Sequence, residues 1–129
     1  MATQLTTRAK RPVYLNLLQI KLAIGCVISI IHRATGAVLV LLIPYTLYLL
    51  QTALESPMRF EEVRASLSGG IGRIALLLAL WLLIQHLYSG VRHLFMDIDV
   101  GVERPVARRS AWLTLLASII TVSLLGVFL

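Results

Sequence analysis

The fold class predicted is an all-α membrane protein, three transmembrane helices preceded by an N-terminal interfacial segment, and three observations predict it. The 129 residues are 58% hydrophobic, against the roughly 45–50% of ordinary soluble domains, and mean hydropathy is +0.86. Three stretches, Ala34–Leu54, Ile74–Val91 and Ser110–Leu129, carry no formal charge when His86 is neutral. Each is close to the ~20 residues that cross a bilayer as a helix. Lys and Arg number 12 against 6 Asp and Glu, a net charge of +6. In a chain this apolar, such an excess points to membrane topology and anionic lipid rather than to nucleic acid.

The arm over residues 1–28 carries Arg8, Lys10, Arg11 and Lys21 ahead of any spanning segment. The first apolar run is too long and begins too late for a signal peptide. Pro12 biases the backbone before it toward extended geometry, and the arm is expected to lie at the membrane surface against a partner. The remaining residues, 29–129, form the anchor domain, with spans over about 29–54, 73–95 and 108–129.

The first span opens with S-I-I-H-R-A-T-G at 29–36. Ser29, Arg33 and Gly36 share one helical face, so a hydroxyl and a guanidinium converge at the membrane boundary. An isolated arginine at a helix end commonly snorkels to headgroups. Ser29, His32 and Arg33 together offer more: donors for a carbonyl oxygen beside a titratable group, the equipment a quinone needs to take up electrons and protons. The loop that follows, from Glu55 to Arg73, is polar and holds a short helix after Pro57.

The second span ends in H-L-Y-S-G-V-R-H-L-F-M-D at 86–97. At 100° per residue, His86, Gly90, His93 and Asp97 form a single stripe. An ionisable residue inside a membrane helix is costly and faces the protein interior or a cofactor. Gly90 leaves room one turn from His86 for something flat, and histidine is a common ligand of haem iron. The plainer reading is a packing glycine beside a histidine that hydrogen-bonds a neighbouring helix. The lone cysteine, Cys26, excludes an internal disulfide and a thiolate cluster, and no C-x-x-C-H occurs, so a haem here would be b-type and not covalently attached. His86 and His93 are separated by roughly 10.5 Å along the axis, so they cannot both be axial ligands of one iron. A second subunit is the expected source of the other ligand.

The third span, from Ser110, follows the charged stretch from Arg92 to Arg109. Three spans put the arm and the second loop on one side. That side holds Arg8, Lys10, Arg11, Lys21, Arg33, Arg92, Arg104, Arg108 and Arg109, against Arg59, Arg64 and Arg73 in the first loop. The positive-inside rule then makes the N-terminus cytoplasmic and the C-terminus periplasmic. Ser29, His32 and Arg33 share the cytoplasmic face with Arg92, His93 and Asp97, and a small polar pocket is expected between them with His86 just below. A small proton-coupled multidrug transporter would want an acidic residue within a span, and the three uncharged stretches contain none.

R-P-V at 11–13, S-I-I-H-R-A-T-G at 29–36 and H-L-Y-S-G-V-R-H-L-F-M-D at 86–97 closely resemble the cytochrome b556 subunits of bacterial succinate dehydrogenase. The patterns S-x-x-H-R-x-[ST]-G and H-x-x-x-G-x-R-H-[LM]-x-x-D are complete and in order. Val13–Leu17 departs from the family, reading V-Y-L-N-L where many members have a Ser-Pro-His variant. The resemblance implies a bacterial inner-membrane anchor in which His86 is an axial ligand of haem b. It also implies that Ser29 and Arg33 belong to the ubiquinone site, and that His32 lies close to the quinone and the haem propionates, with Arg33 a second contact to a propionate. The implied partners are a second small membrane-anchor subunit supplying the other haem ligand, an iron-sulfur subunit, a flavoprotein subunit and the lipid bilayer. Alternatives are a haem-free structural anchor, or the anchor of a fumarate reductase.

Overall fold

The computed structural model describes residues 22–129, and all of that stretch except its turns and ends is helical. The part of the expected interfacial arm up to residue 21, R-P-V included, lies outside the described residues. Four helices follow one another: α1 Ile24–Glu55, α2 Pro57–Ser68, α3 Gly70–Asp97 and α4 Arg104–Phe128. Helices α1, α3 and α4 are each long and apolar enough to cross a membrane. At 1.5 Å per residue even α4, with 25 residues, spans about 37 Å, more than the ~30 Å hydrocarbon core.

The boundaries on either side of α2 and α4 have local causes where side chain or backbone sets them. Ser56 is extended, its hydroxyl accepts from the Arg59 N–H at 3.2 Å, and Pro57 at the first helical position has no N–H to leave unpaired. The helix expected after Pro57 thus fills the connection as α2. Its exposed i,i+3 pairs, Arg59–Glu62 and Arg64–Glu61, keep the segment charged at the water boundary. Between α3 and α4 the chain turns through two left-handed residues, Asp99 (φ 61°) and Gly101 (φ 76°). Aspartate tolerates that region and glycine adopts it without penalty. Pro105 sits in the first turn of α4, where it needs no acceptor.

Helix α3 is the middle of the bundle, packed on α1 on one side and α4 on the other, and α2 lies across the α1–α3 end. The interior is polar and small while the exterior is apolar. Among the described residues the buried hydrophobics are Ile28 and Ala111, and the buried polar residues are Thr35, Gln85, Ser89, Arg92, Thr114 and Ser118. Leu41, Leu54, Ile71 and Val127, by contrast, are at least three-quarters exposed. Lipid tails solvate such a surface, so helices in a bilayer associate through close packing and interhelical hydrogen bonds.

The α3–α4 seam shows this directly. Gln85 donates to Ser89 Oγ at 2.9 Å and accepts from Ser118 Oγ at 2.6 Å. Tyr88 and Thr121 share a hydroxyl–hydroxyl bond of 3.1 Å. Arg92 donates through Nε to Ser110 Oγ at 3.0 Å and through Nη2 to the Ala107 carbonyl at 3.1 Å. At the opposite end Arg73 Nη2 donates to the Gly126 carbonyl at 2.9 Å, placing a cation on the terminal carbonyls of α4. An interhelical bond in lipid averages about 0.6 kcal/mol. The ladder therefore sets rotation and register as much as strength, and in doing so it fixes which face of α3 is left for α1.

Candidate functional site

Two stripes run along α3, one residue apart. Gln85, Ser89 and Arg92 turn to α4, while His86, Gly90 and His93 turn to α1. The opposing face of α1 carries Ile28, His32 and Thr35 at i, i+4 and i+7. Helical periodicity on each helix thus brings three imidazoles, distant in sequence, into one seam. The His32 and His86 rings stack at 4.2 Å with 11° between their planes, and the His93 ring is 5.0 Å from His32.

The hydrogen bonds assign the protons. His86 Nδ1 is 3.1 Å from the His32 carbonyl oxygen and 3.3 Å from Thr35 Oγ1. A carbonyl can only accept, so Nδ1 carries a hydrogen, and the neutral tautomer compatible with this bond has its lone pair on Nε2. Thr35 spends its own hydroxyl hydrogen on the same carbonyl, at 2.9 Å, and presents lone pairs to His86. His93 Nδ1 donates to the Ser89 carbonyl at 2.6 Å. Among the described residues no group of three histidine, cysteine, aspartate or glutamate side chains is arranged to hold a metal ion; the imidazoles stack and do not chelate.

Glycine makes the close approach of α1 and α3 possible, in a reciprocal way. A Cβ on Gly36 would meet His86 Cε1 at 2.8 Å, and a Cβ on Gly90 would meet His32 Nε2 at 3.3 Å. Each helix supplies a histidine that rests over a glycine of the other. The space next to Gly90, expected from the sequence to admit something flat, is taken by His32.

Ser29 and Arg33 stand one position round α1 from this seam. Ser29 is half-buried and Arg33 exposed, and neither makes a side-chain hydrogen bond to another described residue. Arg92 does not join them: its guanidinium is committed to Ser110 and Ala107. Of the two clusters expected to face each other, Ser29, His32 and Arg33 on α1 and Arg92, His93 and Asp97 on α3, the seam brings together His32 and His93, whose rings lie 5.0 Å apart. Ser29 and Arg33 stand on the flank of this three-histidine seam, and Asp97 is exposed at the end of α3.

Sequence reasoning missed the buried Gln85, Ser89 and Ser118 and the half-buried Ser110. Their signal was present: Ser110, Thr114, Ser118 and Thr121 recur along one face of α4, opposite Gln85 and Ser89 on α3.

The donor set suits haem iron. An imidazole with its Nδ1–H held by a backbone carbonyl and its Nε2 free of described partners is the arrangement in which histidine binds a metal.

Comparison with known proteins bears on the whole chain. The family model described as succinate dehydrogenase/fumarate reductase transmembrane subunit matches residues 7–125. The succinate dehydrogenase cytochrome b556 subunit of Coxiella burnetii is 35% identical over 122 residues, 94% of this chain and 98% of that protein. The protein of the same name from Paracoccus denitrificans is 32% identical over 113 residues, 88% of this chain and 87% of its own. That of Rickettsia bellii is 28% identical over 118 residues, 92% of each chain. A match over residues 7–125, on a bundle of three apolar helices long enough to span a membrane, means that the chain belongs to the succinate dehydrogenase/fumarate reductase transmembrane subunit family.

Proposed function

We propose that the chain is a membrane-anchor subunit of a bacterial succinate dehydrogenase, that His86 is an axial ligand of haem b, and that Ser29 and Arg33 belong to the site where ubiquinone is reduced. One observation carries the haem assignment: His86 Nδ1–H is turned to the His32 carbonyl at 3.1 Å, which leaves Nε2 as the unprotonated nitrogen. When bound, haem b supplies a one-electron carrier at the membrane boundary. The residues of this chain do the rest. The His32 carbonyl and Thr35 hold the ring, the Gln85–Ser118 bond holds α3 against α4, and Ser29 and Arg33 present donors to a carbonyl oxygen.

The second iron ligand comes from another subunit. Were haem bound at His86, its other ligand would be an imidazole on the far side of the iron, its ring pointing away from His86. The His32 and His86 rings lie face to face at 4.2 Å, an arrangement that supports a residue other than His32 as the second ligand. The partner of choice is a second small membrane-anchor subunit, with an iron-sulfur subunit and a flavoprotein completing the assembly.

The purified complex is expected to give a low-spin b-type spectrum, reduced minus oxidised. Full subunit content with no haem band would leave the chain as a structural anchor alone.

Orientation follows from charge. With nine basic residues on the side of the arm and three in the first loop, the N-terminus is cytoplasmic and the C-terminus periplasmic. Reporters fused after Leu129, or inserted at Gly69, are expected in the periplasm, and one in the 98–103 turn in the cytoplasm. A cytoplasmic C-terminus would separate the quinone-site residues from the face on which a cytoplasmic flavoprotein and iron-sulfur protein dock.

A further inference from the structure

We propose that Thr35 and Gly36 are positioning residues for His86, forming a seat on α1 that fixes the plane and the tautomer of an imidazole carried by α3. The inference rests on the reading of His86 as a haem ligand. Two features of the seam carry it, one steric and one electronic.

The steric feature is Gly36. A Cβ there would stand 2.8 Å from His86 Cε1, 3.3 Å from Nδ1 and 3.8 Å from Nε2. Carbon atoms pack at about 3.5–4.0 Å, so a methyl group cannot share that space with the ring where it lies. The ring is rigid, and the parallel His32 ring at 4.2 Å restricts where it can go. Any side chain at 36 must therefore tilt the imidazole or move α1 away from α3. Both change the direction of the Nε2 lone pair.

The electronic feature is Thr35, 3% exposed. Its Oγ1 stands 3.3 Å from His86 Nδ1 while its hydroxyl hydrogen goes to the His32 carbonyl. The Nδ1–H thus faces two acceptors held together by one buried side chain. Acceptors on that hydrogen make the opposite nitrogen a stronger donor to a metal. A stronger donor favours ferric over ferrous iron and lowers the reduction potential, since the second shell of a haem ligand is one of the protein's controls on potential. Thr35 then acts on the iron through His86, from a helix that supplies no ligand of its own.

Three variants in the whole complex separate these effects. Thr35→Val keeps the shape and removes the oxygen, Thr35→Ser keeps the oxygen, and Gly36→Ala keeps both acceptors but fills the space. The measurements are the low-temperature electron paramagnetic resonance of the oxidised haem and its midpoint potential by redox titration, with His86→Leu as control. Thr35→Val is expected to raise the potential while the haem stays low-spin, and Thr35→Ser to return it to the wild-type value. Gly36→Ala is expected to shift the low-spin g-values or produce a high-spin fraction. If Gly36→Ala fails to assemble, the Thr35 pair decides alone. Assembled, haem-bearing Thr35→Val with wild-type signal and potential would overturn the seat. Should His86→Leu also leave the spectrum unchanged, the ligand assignment beneath it fails; a change in His86→Leu alone removes only the seat.

Discussion

Replacing His86 with leucine is expected to change the haem from a low-spin to an altered, partly high-spin b-type spectrum, because the iron loses an imidazole. Coordination is the readout, and haem content alone is not. His32 stacks on His86 at 4.2 Å and is a neighbouring imidazole able to swing toward a vacated position. The helix pair itself should survive. Thr35 and the His32 carbonyl keep their mutual hydrogen bond of 2.9 Å when the ring is removed, so no buried acceptor is orphaned. The α3–α4 ladder through Gln85, Tyr88 and Arg92 does not involve residue 86. His32→Leu is the comparison that separates ligand from neighbour. It removes the stacked ring but leaves the His32 backbone carbonyl to accept from His86 Nδ1. A low-spin spectrum is therefore expected to persist in His32→Leu and be lost in His86→Leu. The reverse pattern would make His32 the ligand, and wild-type spectra and spin states in both would remove the seam from the haem site altogether.

How far such a site can be read from a sequence depends on which constraint wrote it. The bilayer imposes length and apolarity on each crossing segment, so the three spans were visible as uncharged stretches. Their ends lie within five residues of the spans expected over 29–54, 73–95 and 108–129, and the charges inside them do not end a helix. Helix α1 starts at Ile24 and runs through Arg33, and α3 starts at Gly70 and takes in both Arg73 and Arg92. Backbone hydrogen bonding continues through these residues, and their side chains find acceptors: Arg73 on Gly126, Arg92 on Ser110 and Ala107.

The stripe of His86, Gly90 and His93 was legible for a related reason. Spacing within one helix is fixed at 100° per residue, and polar residues within an apolar run stand out. What meets that stripe was not legible, since no periodicity on α3 says which residue of α1 lies opposite. The stacking of His32 on His86 and the fit of His86 over Gly36 are products of helix crossing. Arg92 illustrates the same gap from the other direction. Its position suggested a basic group at a shared pocket, but a guanidinium in a low-dielectric seam goes to the nearest acceptors, and those are on α4. Beside Gly90 lies the His32 ring, whose Nε2 would stand 3.3 Å from a Cβ there, a neighbour that the spacing on α3 does not name.

The quinone site gives the second large effect, and its test turns on separating chemistry from assembly. Ser29 and Arg33 are one helical turn apart on α1, half-buried and exposed respectively, and beside a seam of titratable rings. As a hypothesis, Ser29 donates to a quinone carbonyl, and Arg33 stabilises the negative charge that gathers on that oxygen during reduction. The guanidinium is always protonated, so its contribution does not depend on a proton arriving first. A contact made as charge develops acts on the barrier. Ser29→Ala and Arg33→Leu are each expected to lower succinate-dependent quinone reduction by at least ~10-fold, equivalent to ~1.4 kcal/mol. Oxidation of succinate by a soluble artificial acceptor should continue, since electrons can leave before they reach the membrane site. An arginine that only snorkels to headgroups predicts a different pattern: reduced insertion, lower subunit content and both activities falling together. Arg33→Lys adds a further distinction, because lysine restores the charge and the snorkelling but not the planar fork of donors. It should recover insertion fully and quinone reduction only in part. Normal subunit content with undiminished quinone reduction in both Ser29→Ala and Arg33→Leu would withdraw these residues from the site and leave the polar flank of α1 as a surface for a partner subunit.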